Sequence, residues 1–159
     1  MTTNHASDSP DLTALCAGSF QDVLDRAPLA IVPLGSIEYH GPHAPLGTDS
    51  LIAAELASRV SARLDALLYP LIAYTNCPVF TRSFPGTLSV DVDVMTGYLE
   101  AIFRGILAQG VRGILALNAH DGNMAPIRRA AERLYFDHPD RFILTINFWE
   151  AVPESVIEE

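Results

Sequence analysis

The chain contains no lysine. All ten of its basic side chains are arginine, set against 19 Asp and Glu, for a formal net charge of -9. That balance removes most of the positive field that a phosphate backbone needs, so nucleic acid is not an expected partner. Cysteine is scarce as well: Cys16 and Cys77 are too few for a disulfide framework, which points to a reducing cytoplasm. No apolar run reaches the roughly 18 to 20 residues of a membrane helix, because Arg and Asp interrupt every candidate. The polar opening from Met1 to Asp8 lacks the basic and apolar regions of a secretory leader. A soluble, cytoplasmic protein without a membrane partner is expected. Internal repeats, low-complexity tracts and convincing linkers are also absent.

What is present suits one domain. A length of 159 residues, 49% of them hydrophobic, can bury a core without staples. We expect a single domain over 1–159, with 1–17 as a mobile N-terminus. Ser19 to Asp25 reads as a short helix and Leu29 to Leu34 as a buried strand. Thr48, Asp49 or Ser50 can cap a helix to about Leu64, with Leu51, Leu56 and Val60 facing inward. Leu67 to Tyr74 is the expected second strand. A helix from Val92 to Gln109 carries Met95, Leu99, Ile102, Phe103 and Ile106 at helical spacing and stops at Gly110. Val111 to Leu117 predicts a third strand, Pro126 to Phe136 a helix, and Phe142 to Phe148 a fourth strand. Such alternation predicts an α/β fold with a mainly parallel sheet, whose ligands gather beyond the carboxyl ends of the strands.

Both polar motifs fall at such ends. The first is Leu34-Gly35-Ser36-Ile37-Glu38-Tyr39-His40-Gly41-Pro42-His43-Ala44-Pro45-Leu46-Gly47-Thr48-Asp49. Its glycines and prolines break regular structure, and Glu38 and His40, two apart in extended chain, share a face. Taken alone, Asp49 reads as a helix cap; beside Glu38 and His40 it reads as a ligand. Oxygen and imidazole donors without a neighbouring thiol suit zinc, manganese or iron at a catalytic rather than a structural site. The second motif, Asn118-Ala119-His120-Asp121-Gly122-Asn123, follows the third strand, and His120 is placed to complete the set. Asn118 and Asn123 read first as turn residues, His43 as a loop-orienting residue, and Cys77 as packing. Ser83 and Thr87 lack the matched base a nucleophile requires.

Together these motifs, with Phe84-Pro85-Gly86-Thr87-Leu88, resemble the creatininase family over about Ile31 to Trp149. The resemblance implies a three-layer α/β/α fold, a homo-oligomer that is often a hexamer, and one or two divalent ions (Zn, Mn or Fe) used to hydrolyse unusual amide bonds. It also implies that Glu38 and His120 bind one ion, His40 the other, and that Asp49 bridges them.

The chain departs from the pattern at Gly122, where creatininase itself carries a Glu ligand, and after Trp149, where the His-Ala-Gly and Glu-Thr-Ser segments of typical members have no match. A stable ion pair then wants another carboxylate, from Asp121, Glu150 or a neighbouring subunit. The expected activity is metal-dependent hydrolysis of a C–N bond in a small cyclic amide, formamide or related molecule, with Glu38, His40, Asp49 and His120 as the catalytic metal site. Two alternatives stand beside it: a metal-dependent cyclisation, condensation or dehydration, and a non-catalytic scaffold subunit.

Overall fold

A computed structural model describes residues 11–153. Four parallel strands form one sheet in the order β2-β1-β3-β4, with β1 at Leu29–Leu34, β2 at Leu67–Leu68, β3 at Gly113–Asn118 and β4 at Phe142–Asn147. The register runs Leu34↔Asn118↔Asn147, so the motif-bearing ends of β1, β3 and β4 lie side by side. The parallel sheet is what the alternation predicts, and the helices on both faces make it the three-layer α/β/α arrangement that the resemblance implies. Helix α2 (Thr48–Leu64) covers one face, and α1 (Phe20–Arg26), α3 (Val92–Ala108) and α4 (Met124–Tyr135) cover the other.

The two faces follow from strand parity. Ala30, Val32 and Leu34 of β1, with Ile114 and Ala116 of β3, point into the larger core beside Met95, Leu99 and Phe103 of α3 and Ile127, Ala130 and Leu134 of α4. Ile31 and Leu117 point the other way, onto Ala57 of α2. Full burial of each large apolar side chain contributes about 1.5–3 kcal/mol. Asp91 caps α3 by accepting from the Asp93 and Val94 amides at 2.9 and 3.4 Å.

Three expectations need correction. The second strand is only Leu67–Leu68: the Tyr69 amide still donates to Ile31 O at 2.9 Å, but the next rung needs an N–H from residue 33 of β1, which is Pro33 and has none; the chain touches β1 again at the isolated bridge Leu34↔Ile72. Leu51 faces solvent at 62% exposure. The inward row of α2 is Ala53, Ala57 and Ser61, small residues that bring the helix axis close to the sheet. Finally, the expected mobile stretch 1–17 lies partly outside the described residues; from Asp11 onward it is tied down, with the Leu12 amide donating to Leu68 O at 2.9 Å and Leu12 and Leu15 packing on the core. Among the described residues no helix is long and apolar enough to cross a membrane, and Cys16 and Cys77 are both free thiols.

Candidate metal centre

Close backbone approach builds the site. Gly35, just past β1, lies against the first turn of α2: a Cβ on residue 35 would stand 2.4 Å from Ser50 Cα. Ser50 Oγ donates to Ser36 O at 2.7 Å, locking the two segments together. Asp49, in that first turn, is thereby brought above the end of β1. It caps nothing; the residue before the helix is Gly47, and Thr48 Oγ1 donates back to Pro45 O. His120 leaves the end of β3 with its amide donating to Asn118 Oδ1 at 3.1 Å. Asn118 in turn donates to Asn147 Oδ1 at 2.9 Å, and Asn123 Nδ2 donates to Gly35 O at 3.0 Å, which ties the second motif to the first.

These supports bring the four expected side chains together. Glu38, Asp49 and His120 are buried, while His40 is half-buried at the mouth. Asp49 spans both imidazoles, with Oδ2 at 2.9 Å from His120 Nδ1 and Oδ1 at 3.2 Å from His40 Nε2. Glu38 Oε2 lies 3.2 Å from the same His120 nitrogen and 3.9 Å from His40 Nε2. Ser36 Oγ donates to Asp49 Oδ2 at 2.7 Å.

Electrostatics match this geometry. Burial works against a charge on His120, but the hydrogen bond to Asp49 and contributions from Cys77, the Asn76 carbonyl and Glu38 outweigh it and raise its pKa to about 10. Burial likewise pushes the Asp49 carboxyl upward, and its hydrogen bonds to His120 and Ser36 with the two imidazole charges overcome that push, leaving it below the usual value. Two buried carboxylates thus converge on a point that favours positive charge. Two carboxylates and two imidazoles within this radius are a donor set that fits a borderline divalent ion.

Donor atoms of Glu38, His40 and Asp49 lie within 4.8 Å of one another, as do those of Glu38, Cys77 and His120. Cys77 is therefore nearer the site than its reading as a packing residue implies, although its thiol points at Leu88 O at 3.5 Å. Asp121 and Glu150 join neither group among the described residues. His43 is exposed and also outside them. Gly122 cannot be a site for the creatininase Glu on this backbone, since a Cβ there would lie 2.1 Å from Asn76 O.

Above the donors opens a cleft of about 310 Å³, walled by Tyr39, Pro78, Phe80 and Trp149, with Thr81 and Asp121 also in its lining. Tyr39 is stacked on Phe84 at 5.0 Å between ring centroids, and its amide donates to Thr87 Oγ1 at 3.0 Å. Thr87 is thus a brace of the wall and not a nucleophile. A slightly larger cavity, about 360 Å³ between α3, α4 and β4, contains none of these donors, so the chemistry belongs to the smaller one. Sequence reasoning missed two supports, Ser36 and the Asn76 carbonyl. Ser36 had a signal, because it continues the spacing of two through Glu38 and His40; a main-chain carbonyl has none.

A family model described as creatininase, creatinine amidohydrolase, matches residues 14–158. The chain is 33% identical over 140 residues to a mycofactocin precursor peptide peptidase of Mycobacterium tuberculosis, covering 82% of this chain and 55% of that protein. It is 26% identical over 136 residues to creatinine amidohydrolase of Pseudomonas putida, covering 80% and 52%. It therefore spans about half the length of these curated relatives. Among solved structures, a creatininase variant of the Zn-Zn type superposes with a TM-score of 0.87 at 24% identity, over 96% of this chain and 63% of that one; this likeness concerns the fold. With the family model matching most of its length and the two motifs meeting at one point, the chain belongs to the creatininase family.

Proposed function

We propose that this chain carries the metal site of a hydrolase that cleaves a C–N bond in a small amide, with Glu38, His40, Asp49 and His120 as the metal ligands. The observation that carries the reading is the division of Asp49 between two imidazoles, one oxygen to each. With its two oxygens divided in this way, Asp49 would hold an ion in company with both His120 and His40. The donor set suits zinc, manganese or iron, and fold neighbours described as of the Zn-Zn type and as a Mn form support the first two, of which zinc serves as the probe ion. When bound, such an ion supplies Lewis acidity, which polarises a carbonyl and makes water a stronger acid. The chain's own residues do the rest. Glu38 and Asp49 would supply the negative charge that retains a cation, His120 would have to give up its proton to serve as a neutral donor, and Ser36 fixes the orientation of Asp49. Tyr39, Phe80 and Trp149 line the cleft through which a substrate would reach the donors. No side-chain nucleophile is needed: Ser36 is fully buried, and Ser83 is exposed outside the cleft lining.

The peptidase and the creatinine amidohydrolase among the relatives support a C–N bond as the target. We place the protein in the cytoplasm as a homo-oligomer; Phe142 and Leu144, each 52% exposed on the edge strand β4, support a further contact there. The test is turnover of formamides, lactams and short peptides by zinc-loaded protein in ¹⁸O-labelled water. Metal-dependent product carrying ¹⁸O in the new carboxylate is the expected result. Metal-loaded protein that closes rings or dehydrates, without taking oxygen from water, would overturn the hydrolytic reading.

A further inference from the structure

Two main-chain carbonyls each occupy one nitrogen of the two histidines, a different one in each ring. His40 Nδ1 lies 3.0 Å from Glu38 O, and His120 Nε2 lies 2.9 Å from Asn76 O. A carbonyl only accepts, so the nitrogen facing it must carry a hydrogen. The nitrogens left over, His40 Nε2 and His120 Nδ1, are the pair that faces Asp49.

The His120 half of this arrangement depends on a close approach. Asn76 is clamped by its own side chain, whose Nδ2 donates to Val90 O at 2.8 Å. Its carbonyl is thereby held against residue 122, where a Cβ would stand 2.1 Å from Asn76 O and 2.6 Å from His120 Nε2. One neighbour is backbone and the other a ring fixed at both nitrogens, so neither yields easily. The φ of Gly122 is not in the left-handed region; space alone demands glycine.

We infer that Asn76 and Gly122 are a positioning pair, which turns His120 so that it presents Nδ1 to its ion while His40 presents Nε2. The inference rests on the metal-site reading above and adds to it which nitrogen binds and what makes it do so.

The experiment is long-range ¹H–¹⁵N correlation spectroscopy of the ¹⁵N-histidine-labelled, zinc-loaded protein, with His40→Gln to separate the two rings. The expected spectrum has His120 protonated at Nε2 and zinc-bound at Nδ1, and His40 protonated at Nδ1 and zinc-bound at Nε2. Gly122→Ala should destroy the His120 pattern and weaken zinc binding about 10- to 100-fold, the usual cost of losing a support behind a ligand. Asn76→Ala, which frees the clamp to Val90, should weaken it in the same direction without adding a clash. Zinc bound through His120 Nε2, or wild-type tautomer and affinity in Gly122→Ala, would overturn the positioning role while leaving the metal site standing. If zinc fails to bind at all, the metal reading falls and takes this inference with it. Should Gly122→Ala not fold, the wild-type spectrum and Asn76→Ala decide the matter.

Discussion

Gly35 and Ser50 meet backbone to backbone, so closely that a Cβ on Gly35 would come 2.4 Å from Ser50 Cα and 2.6 Å from its amide nitrogen. This contact sets the height of the α2 N-terminus over the sheet and with it the place of Asp49. Gly35→Ala should therefore cost stability and metal affinity together. The overpacking penalty is about 1–3 kcal/mol, readable as a lowered midpoint in urea unfolding. Zinc affinity measured on the folded fraction should fall as well.

Ser36→Ala separates orientation from fold. It removes the 2.7 Å hydrogen bond to Asp49 Oδ2 while leaving the main chain of the motif intact. Hydrogen bonds to charged groups contribute about 1.5–3 kcal/mol, so the variant should lose stability within that range. Its zinc affinity should drop while the stoichiometry is unchanged, as titration calorimetry would report.

A core substitution should do the opposite. Phe103 is fully buried among α3, α4 and the sheet, away from every donor atom. Phe103→Ala is expected to cost about 3–5 kcal/mol through lost contacts and a cavity. Zinc stoichiometry measured well below the unfolding transition should stay that of the parent.

The metal-free protein should lose stability as pH rises. The folded-state pKa of His120 is raised from the ordinary 6.5 to about 10, so the folded state binds more protons than the unfolded one between those values. Its contribution is complete below about pH 6.5 and disappears as pH climbs through 10. Thermal unfolding of chelator-treated protein should show this decline, and His120→Asn should flatten it. Added zinc should reduce the decline too, because the ion takes over the role of the proton.

The fold was readable where side chains decide it. The stripe of Met95, Leu99, Phe103 and Ile106 marks α3, and the apolar runs at Leu29 and Val111 mark the central strands. It was less readable where backbone chemistry decides: Pro33 in β1 offers no N–H to its neighbour, and β2 ends six residues before the apolar pattern does. In α2 the hydrophobic pattern favoured Leu51, yet close packing on the sheet requires the small side chains of Ala53 and Ala57. The four donors of the site stood out because two carboxylates and two imidazoles fall in segments that follow strands, where ligands gather. What holds them in place did not, since the carbonyl of Asn76 and the missing Cβ of Gly122 act through the main chain.

The claim at the centre is that Asp49 and its neighbours retain a divalent cation. Zinc titration of the chelator-treated protein against its Asp49→Asn variant, both confirmed folded by circular dichroism, tests it most directly. The account predicts saturable zinc binding by the parent and a loss of it in the variant, which keeps the shape of the side chain without its charge. Equal binding by both proteins, or none by the parent at saturating zinc, would contradict it.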